Sequence, residues 1–252
     1  MGMIERAQQG VENVATPRLT IVFAYYENPQ MLEFQWKEIA AYPEDIKLAL
    51  EVVVVDDGSP TFPAKEVPRP QGLPQVAIYR ITEDIRWNQD AARNIGAHEA
   101  RASWLLLTDI DHVVPASSVT AILGGEWSER SFYTLGRIKF HGGEVRESHP
   151  NSYLMTKKLY WEIGGHDEDF AGVYGKDFLF RKRALQRSQE VHLPDIVLAR
   201  VGTTLVEDAG TTSITRRNTV AKRVWGYLLE WLKTVRLWRG VQTLSHPYAK
   251  VL

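Results

Sequence analysis

Hydrophobic positions along the chain follow two rhythms. Near-continuous apolar runs at 19–26, 51–55 and 104–107, with a shorter one at 75–81, have the pattern of strands buried on both faces. Between them, Met31, Phe34, Ile39 and Tyr42 recur at roughly helical spacing within 30–42. Ala91, Ala92, Ile95 and Ala97 mark a small-residue helix over 87–102. Pro29 suits the first turn of a helix, whereas five prolines between Ser59 and Pro74 predict an extended loop. Strand and helix in alternation argue for an α/β fold, a mostly parallel sheet with crossover helices. Ligands in such sheets bind beyond the carboxyl ends of the strands.

The second half is less regular. It predicts a helix at 117–123, a strand at 132–140 of the kind that pairs antiparallel, a strand at 151–156 and a helix at 157–163. An irregular glycine- and acid-rich stretch at 164–172 leads into a basic helix at 176–189 and a last strand near 192–201. Residues 220–244 read as one long amphipathic helix. Val224, Leu228, Trp231, Val235 and Trp238 line one face, and Lys222, Arg223, Glu230 and Lys233 lie largely opposite. Such a helix either packs on the body or meets a membrane or a partner. The predicted organisation is a lead-in at 1–18, a main domain at 19–215 and a C-terminal helical extension at 216–252.

Composition narrows the options. A net charge of −1 over 252 residues gives no general pull toward nucleic acid or anionic lipid. The absence of cysteine excludes disulfides and thiolate metal sites. Residues 1–18 lack a signal-peptide pattern and no segment is long enough to span a bilayer, so a cytoplasmic protein is expected.

Three polar clusters fall at three predicted strand ends: 25–28, 56–59 and 109–112. In the last, Asp109 and Asp111 stand at i and i+2, on one side of an extended chain. Two carboxylates so placed resist joint ionisation unless a cation sits between them. Their hard oxygens favour Mg²⁺ or Mn²⁺, shared with substrate phosphates. The bland alternative is a solvated turn that carries two aspartates.

Taken together these pieces resemble the family-2 glycosyltransferases, which have the Rossmann-like GT-A fold. The resemblance rests on the first strand with Tyr25 and Tyr26, Val55-Asp56-Asp57-Gly58-Ser59, Ala92-Arg93-Asn94-Ile95-Gly96 and Asp109-Ile110-Asp111. It closes with Gly164-Gly165-His166-Asp167-Glu168-Asp169-Phe170 and Gly175-Lys176-Asp177, similar to a galactosyltransferase-type segment. His166 replaces an aromatic residue of that pattern and Lys176 an acidic one.

The resemblance implies an inverting, metal-dependent transferase that moves a sugar from a nucleotide-diphosphate donor, most simply UDP-linked, to an acceptor hydroxyl. Ala24, Tyr25 and Glu27 would border the base, with Asp57 accepting from it and Asp56 on the same turn. Arg93 would meet diphosphate or an acidic neighbour, and Asn94 would orient or cap. Asp109 and Asp111 would hold the metal, Asp111 preferred as direct ligand and His192 the third ligand by chain order. Asp177 is the chosen base, with Asp167 or Glu168 as alternatives. Asp167, Glu168, Trp161 and Tyr174 are candidate sugar or acceptor contacts.

The acceptor stays open among glycans, lipid-linked and small molecules. Modified DNA is less favoured, through Arg181-Lys182-Arg183, Arg187 and Arg216-Arg217. Two other readings compete. A nucleotidyltransferase would want a glycine-rich basic loop where Ala24-Tyr25-Tyr26-Glu27-Asn28 stands. A non-catalytic nucleotide-sugar-binding scaffold would be expected to lack the metal acids or the base, and all three are present.

Overall fold

The computed structural model describes residues 16–85, 87–143, 148–210 and 219–252. In chain order its elements are β1 (Leu19–Tyr25), α1 (Pro29–Ala40), α2 (Glu44–Ala49), β2 (Leu50–Asp56), β3 (Gln75–Ile81), α3 (Gln89–Glu99), β4 (Trp104–Asp109) and β5 (His112–Val113). They continue with α4 (Ala116–Gly124), β6 (Ser131–Lys139), β7 (Tyr153–Thr156), α5 (Lys157–Ile163), α6 (Phe178–Arg187), β8 (Gln189–Arg200), α7 (Val220–Thr234) and β9 (Tyr248–Lys250). The predicted proline-rich loop is present and carries one 3-10 turn at Ala64–Glu66.

The strands form one sheet ordered β5-β8-β6-β7-β4-β1-β2-β3-β9. Its heart, β4-β1-β2-β3, is parallel as the alternation predicts. The flanks are not: β3–β9, β4–β7, β5–β8 and β6–β7 pair antiparallel, while β6 and β8 run parallel. Among the described residues half of the eight pairings are therefore antiparallel, and "mostly parallel" holds only for the centre.

Alternation along β2 sorts its side chains between two cores. Val52 and Val54 join the layer with Trp36 and Phe23, whereas Val53 and Val55 join the layer with Ala92 and Ile95 of α3. The helix lies close to the sheet because Gly96 has no side chain; a Cβ there would stand 2.2 Å from Val22 Cγ1. Glu51 is buried within β2, and its carboxylate is satisfied by Thr20 Oγ1 at 2.7 Å and by Arg101 N and Nε, each at 2.8 Å. The α1 N-terminus receives no cap from Asn28. Instead Asp208, far along the chain, accepts from the Gln30 and Met31 amides at 2.8 Å each.

The C-terminal segment differs from the single long helix predicted for 220–244. Helix α7 stops at Thr234, the chain returns across the body, and Tyr248–Lys250 pairs with β3. Its polar face, not its apolar one, meets the body. Lys233 reaches Asp167 at 2.6 Å and Asp169 at 2.8 Å, and Glu230 reaches Lys176 at 2.6 Å.

Candidate active site

Strands β1 and β4, the turn after β2 and the N-termini of α3 and α6 converge on a cleft of about 330 Å³. Asp57, Asp109, Asp111 and Asp177 all line it, with Ala24, Tyr25 and Tyr174. These four acids come from three separate segments of the sequence and share one cavity, as the sequence reading requires.

The two metal-candidate aspartates are held differently. Asp109 ends β4; its Oδ1 accepts from Gln89 Nε2 at 2.7 Å and from Arg93 Nη2. The buried Arg93 guanidinium and nearby His149 and His112 hold the Asp109 carboxyl below its usual range, against the opposing effect of burial. Asp111 lies past the strand in a turn, so strict i, i+2 strand geometry does not apply. Gln35 Nε2 fixes that turn through the Ile110 and His112 carbonyls at 2.7 and 3.0 Å. Asp111 Oδ1 pairs with His112 Nδ1 at 2.7 Å, and Oδ2 faces Arg200 Nε at 3.8 Å.

His149 Nε2 lies 3.5 Å from Asp109 Oδ2. Burial pushes the His149 imidazole down to about 4, so it is neutral near pH 7. His192, the third ligand expected from chain order, is elsewhere. It is exposed on β8 and contacts Thr134. The same register places Arg200 beside Lys139, five residues further along β6, or ~17 Å at ordinary strand rise. His149, not His192, is the histidine beside Asp109 in the cleft.

Among the described residues no three His, Asp or Glu side chains form a ready-made metal cage. The donors beside the cleft are carboxylate oxygens and imidazole nitrogen, including a buried, unpartnered His112 Nε2. Asp109 is already matched by Arg93. The set fits an open site in which a diphosphate supplies the remaining ligands, with Asp111 the available carboxylate.

Asp177 is the residue before α6. Asn151 Nδ2 donates to its Oδ2 at 3.2 Å. Burial and the neighbouring Asp109 raise its pKa, with Arg93 opposing. Arg93 itself is 1% exposed, and its Nε and Nη1 lack hydrogen-bond partners. Half-buried beside it, Asp90 is pushed well above the carboxylate range by desolvation and by Asp177.

Several expected contacts belong to the scaffold instead. Asp56 follows the parity of Val52 and Val54, away from α3, and accepts from Ser59 N and Ala64 N at 2.8 Å each. Glu27 Oε1 accepts from Thr61 N at 2.8 Å and Phe62 N at 2.9 Å. Asn94 ties Tyr160 and both backbone groups of His166 to Glu168, all within 2.8 Å. Trp161 packs against Tyr160 and His98, outside the cleft.

The acid loop is the largest correction. Asp167 binds Lys233 at 2.6 Å and Gln242 N at 3.2 Å. Glu168 accepts from Asn94 Nδ2, Leu244 N, Ser245 N and Ser245 Oγ, each at 2.6–2.7 Å. At 5% and 3% exposure, neither is among the residues that line the cleft. Three arginines of the basic stretch are also engaged: Arg181 pairs with Glu190, and Arg183 and Arg187 donate to the Gly165 and Glu162 carbonyls, while Lys182 is exposed. Arg216-Arg217 lies outside the described residues.

Sequence reasoning missed Gln89, Arg137, His149, Trp87 and Arg200, all of which line the cleft. Trp87 sits at φ 58° and packs edge-on against Tyr174, ring centroids 4.5 Å apart. Its place just ahead of the α3 motif was the available signal.

Comparison with known proteins agrees with this fold. The model of the family described as glycosyl transferase family 2 matches residues 20–188. No curated protein sequence matches the chain. Solved structures share the fold. A mannosyltransferase from Pyrobaculum calidifontis, in complex with GDP-Man and Mn²⁺, has TM-score 0.56 and 18% identity, covering 90% of this chain and 66% of its own. The TarS 1-349 structure from S. aureus gives 0.54 and 15%, with coverage of 76% and 63%. GalNAc-T7 with UDP, GalNAc and Mn²⁺ gives 0.54 and 16%, with coverage of 76% and 44%. The chain thus spans about two thirds or less of each neighbour.

Proposed function

The chain belongs to glycosyl transferase family 2, a glycosyltransferase with the GT-A fold, and from that premise we propose an inverting, metal-dependent transferase that uses a UDP-sugar. The observation that carries this reading is the convergence of Asp57, Asp111 and Asp177 on one cleft. Ala24, Tyr25 and Asp57 border the nucleotide base. Arg93, with two unpartnered nitrogens, faces the diphosphate or holds Asp109 and Asp177 in register.

A divalent ion, Mn²⁺ or Mg²⁺, would be held through Asp111 with His149 and Asp109 beside it, and would supply Lewis-acid stabilisation of the departing diphosphate. Asp177 removes the acceptor hydroxyl proton as that oxygen attacks, and its raised pKa makes it a stronger base than an exposed aspartate. Arg93 steadies the charge of Asp177 between turnovers. Trp87 and Tyr174 offer aromatic faces at the mouth for a sugar ring.

The test is release of nucleoside diphosphate from UDP-, GDP- and TDP-sugars with and without Mn²⁺. Metal-dependent release from a UDP-sugar, abolished in Asp111→Ala while the circular dichroism spectrum is retained, is the expected result. Full activity in that variant would remove Asp111 from the metal, and preference for another nucleotide would replace UDP.

A further inference from the structure

Helix α7 is turned inside out relative to an ordinary surface helix. Only Gly226 and Leu229 of its fifteen residues are buried. The contact is close because Gly226 lacks a side chain; a Cβ there would stand 2.7 Å from Val173 Cγ1. The polar residues Glu230 and Lys233 face the body and are bound there. The outward sector carries Val224, Trp225, Tyr227, Leu228 and Trp231, each 40–65% exposed.

This concentration is not scattered surface hydrophobicity. Among the described residues, nine of the sixteen exposed large hydrophobic side chains lie between Val220 and Trp238. A contiguous apolar patch of this kind on a soluble body marks an interaction surface. The question is what covers it.

Charge decides. Residues 219–240 hold five bases, Lys222, Arg223, Lys233, Arg236 and Arg239, against one acid, Glu230. That acid is turned inward onto Lys176, and Lys233 and Arg239 are bound to Asp169. On a helical wheel Arg223 borders one side of the apolar sector and Lys222 the other, with Arg236 just beyond the helix end on the Lys222 side. A two-fold copy would set these cations near their own images. Anionic headgroups complement them while the apolar sector enters the acyl boundary, and long basic side chains at its borders reach back to the phosphates.

We propose that α7 is a monotopic anchor that lies in the interface of an anionic membrane, apolar face down. No helix of the described residues is long and apolar enough to cross a bilayer, so the contact is peripheral. The groove beside α7 and the catalytic cleft share Tyr174. Docking therefore brings the mouth of the cleft to the membrane surface. The anchor does not depend on the sugar-transfer reading and is tested without turnover.

The full chain is mixed with vesicles of phosphatidylcholine alone or of phosphatidylcholine and phosphatidylglycerol in equal parts. Binding is read by flotation and by tryptophan fluorescence. The expected result is partition onto the anionic vesicles only, with a blue shift, weakened by salt. Val224→Ser combined with Leu228→Ser lowers the partition coefficient about tenfold or more. Lys222→Glu combined with Arg223→Glu lowers it about fivefold or more per residue, from about 1 kcal/mol for each base near the surface. All four positions lie away from the cleft, and unchanged circular dichroism confirms intact folding. Failure to bind either vesicle overturns the proposal, as does binding indifferent to lipid charge. So does a concentration-dependent dimer dissociated by the serine pair, which would assign the face to a second copy.

Discussion

Asp56 and Asp57 are chain neighbours with opposite duties. Both oxygens of Asp56 accept backbone amides of its own loop, whereas Asp57 lines the cleft. Replacing Asp56 by Ala should cost about 2–4 kcal/mol of stability, since two buried amides lose charge-assisted partners. Thermal denaturation checks it. Asp57→Ala should weaken UDP binding in calorimetry and also lower stability, by about 1–3 kcal/mol, because the buried Asn88 amide that donates to its Oδ2 at 3.1 Å loses its acceptor. Asp177→Asn should retain donor binding and lower kcat by about 10²–10⁴, the range typical of a lost general base; a near-normal rate places the base elsewhere. At this scale the acids at the strand ends were legible as a set, because three polar clusters fall at three strand ends on one edge of the sheet. What their neighbours do was not. The parity that turns Asp56 away follows from the strand register, and the capture of Glu168 follows from where the tail runs. Neither is written in local spacing.

At the scale of elements, the central strands were plain in their apolar runs, and α3 in its small residues. The tail was legible only in part: its helix was expected over 220–244 and ends at Thr234, and which face meets the body stayed open. An amphipathic pattern says that two faces differ, but not which of them meets the body. Here Asp167 and Asp169 stand beneath the helix and select its cationic side. His192 failed similarly: chain order ranked it, whereas the turn before β7 carries His149 to Asp109. Glu168→Ala should strip Leu244 N and Ser245 N of their acceptor and loosen residues 235–247. The expected readout is faster proteolytic cutting in that segment, with a loss of about 3 kcal/mol or more in stability. Unaltered digestion would mean that Asp167, Asp169 and β9 suffice to hold it.

The whole molecule couples the tail to pH. Lys233, Arg239 and Trp238 lower Asp169 to about 2, against burial. Its folded pKa lies below the ordinary carboxylate value of about 3.9. Stability from this group is therefore complete above that value and is lost as pH falls toward about 2. Asp169→Asn should be less stable than the native chain at neutral pH, and the gap should close through that acid window. Denaturant titrations at stepped pH would show it; a constant gap would assign the effect to shape rather than charge. The β9 strand meanwhile covers the open edge of β3, a position that invites intermolecular pairing when bare.

The Gly-Gly-His-Asp-Glu-Asp loop therefore has a heritable counterpart at the far end of the chain. Glu168 fits Leu244 and Ser245, and Asp169 fits Trp238 and Arg239. A chimera that exchanged the last segment for that of a relative would leave these carboxylates without their partners, Glu168 in the interior and Asp169 at its border, unless the loop were exchanged with it. Exchanging both stretches together should therefore restore the stability that either exchange alone would lose.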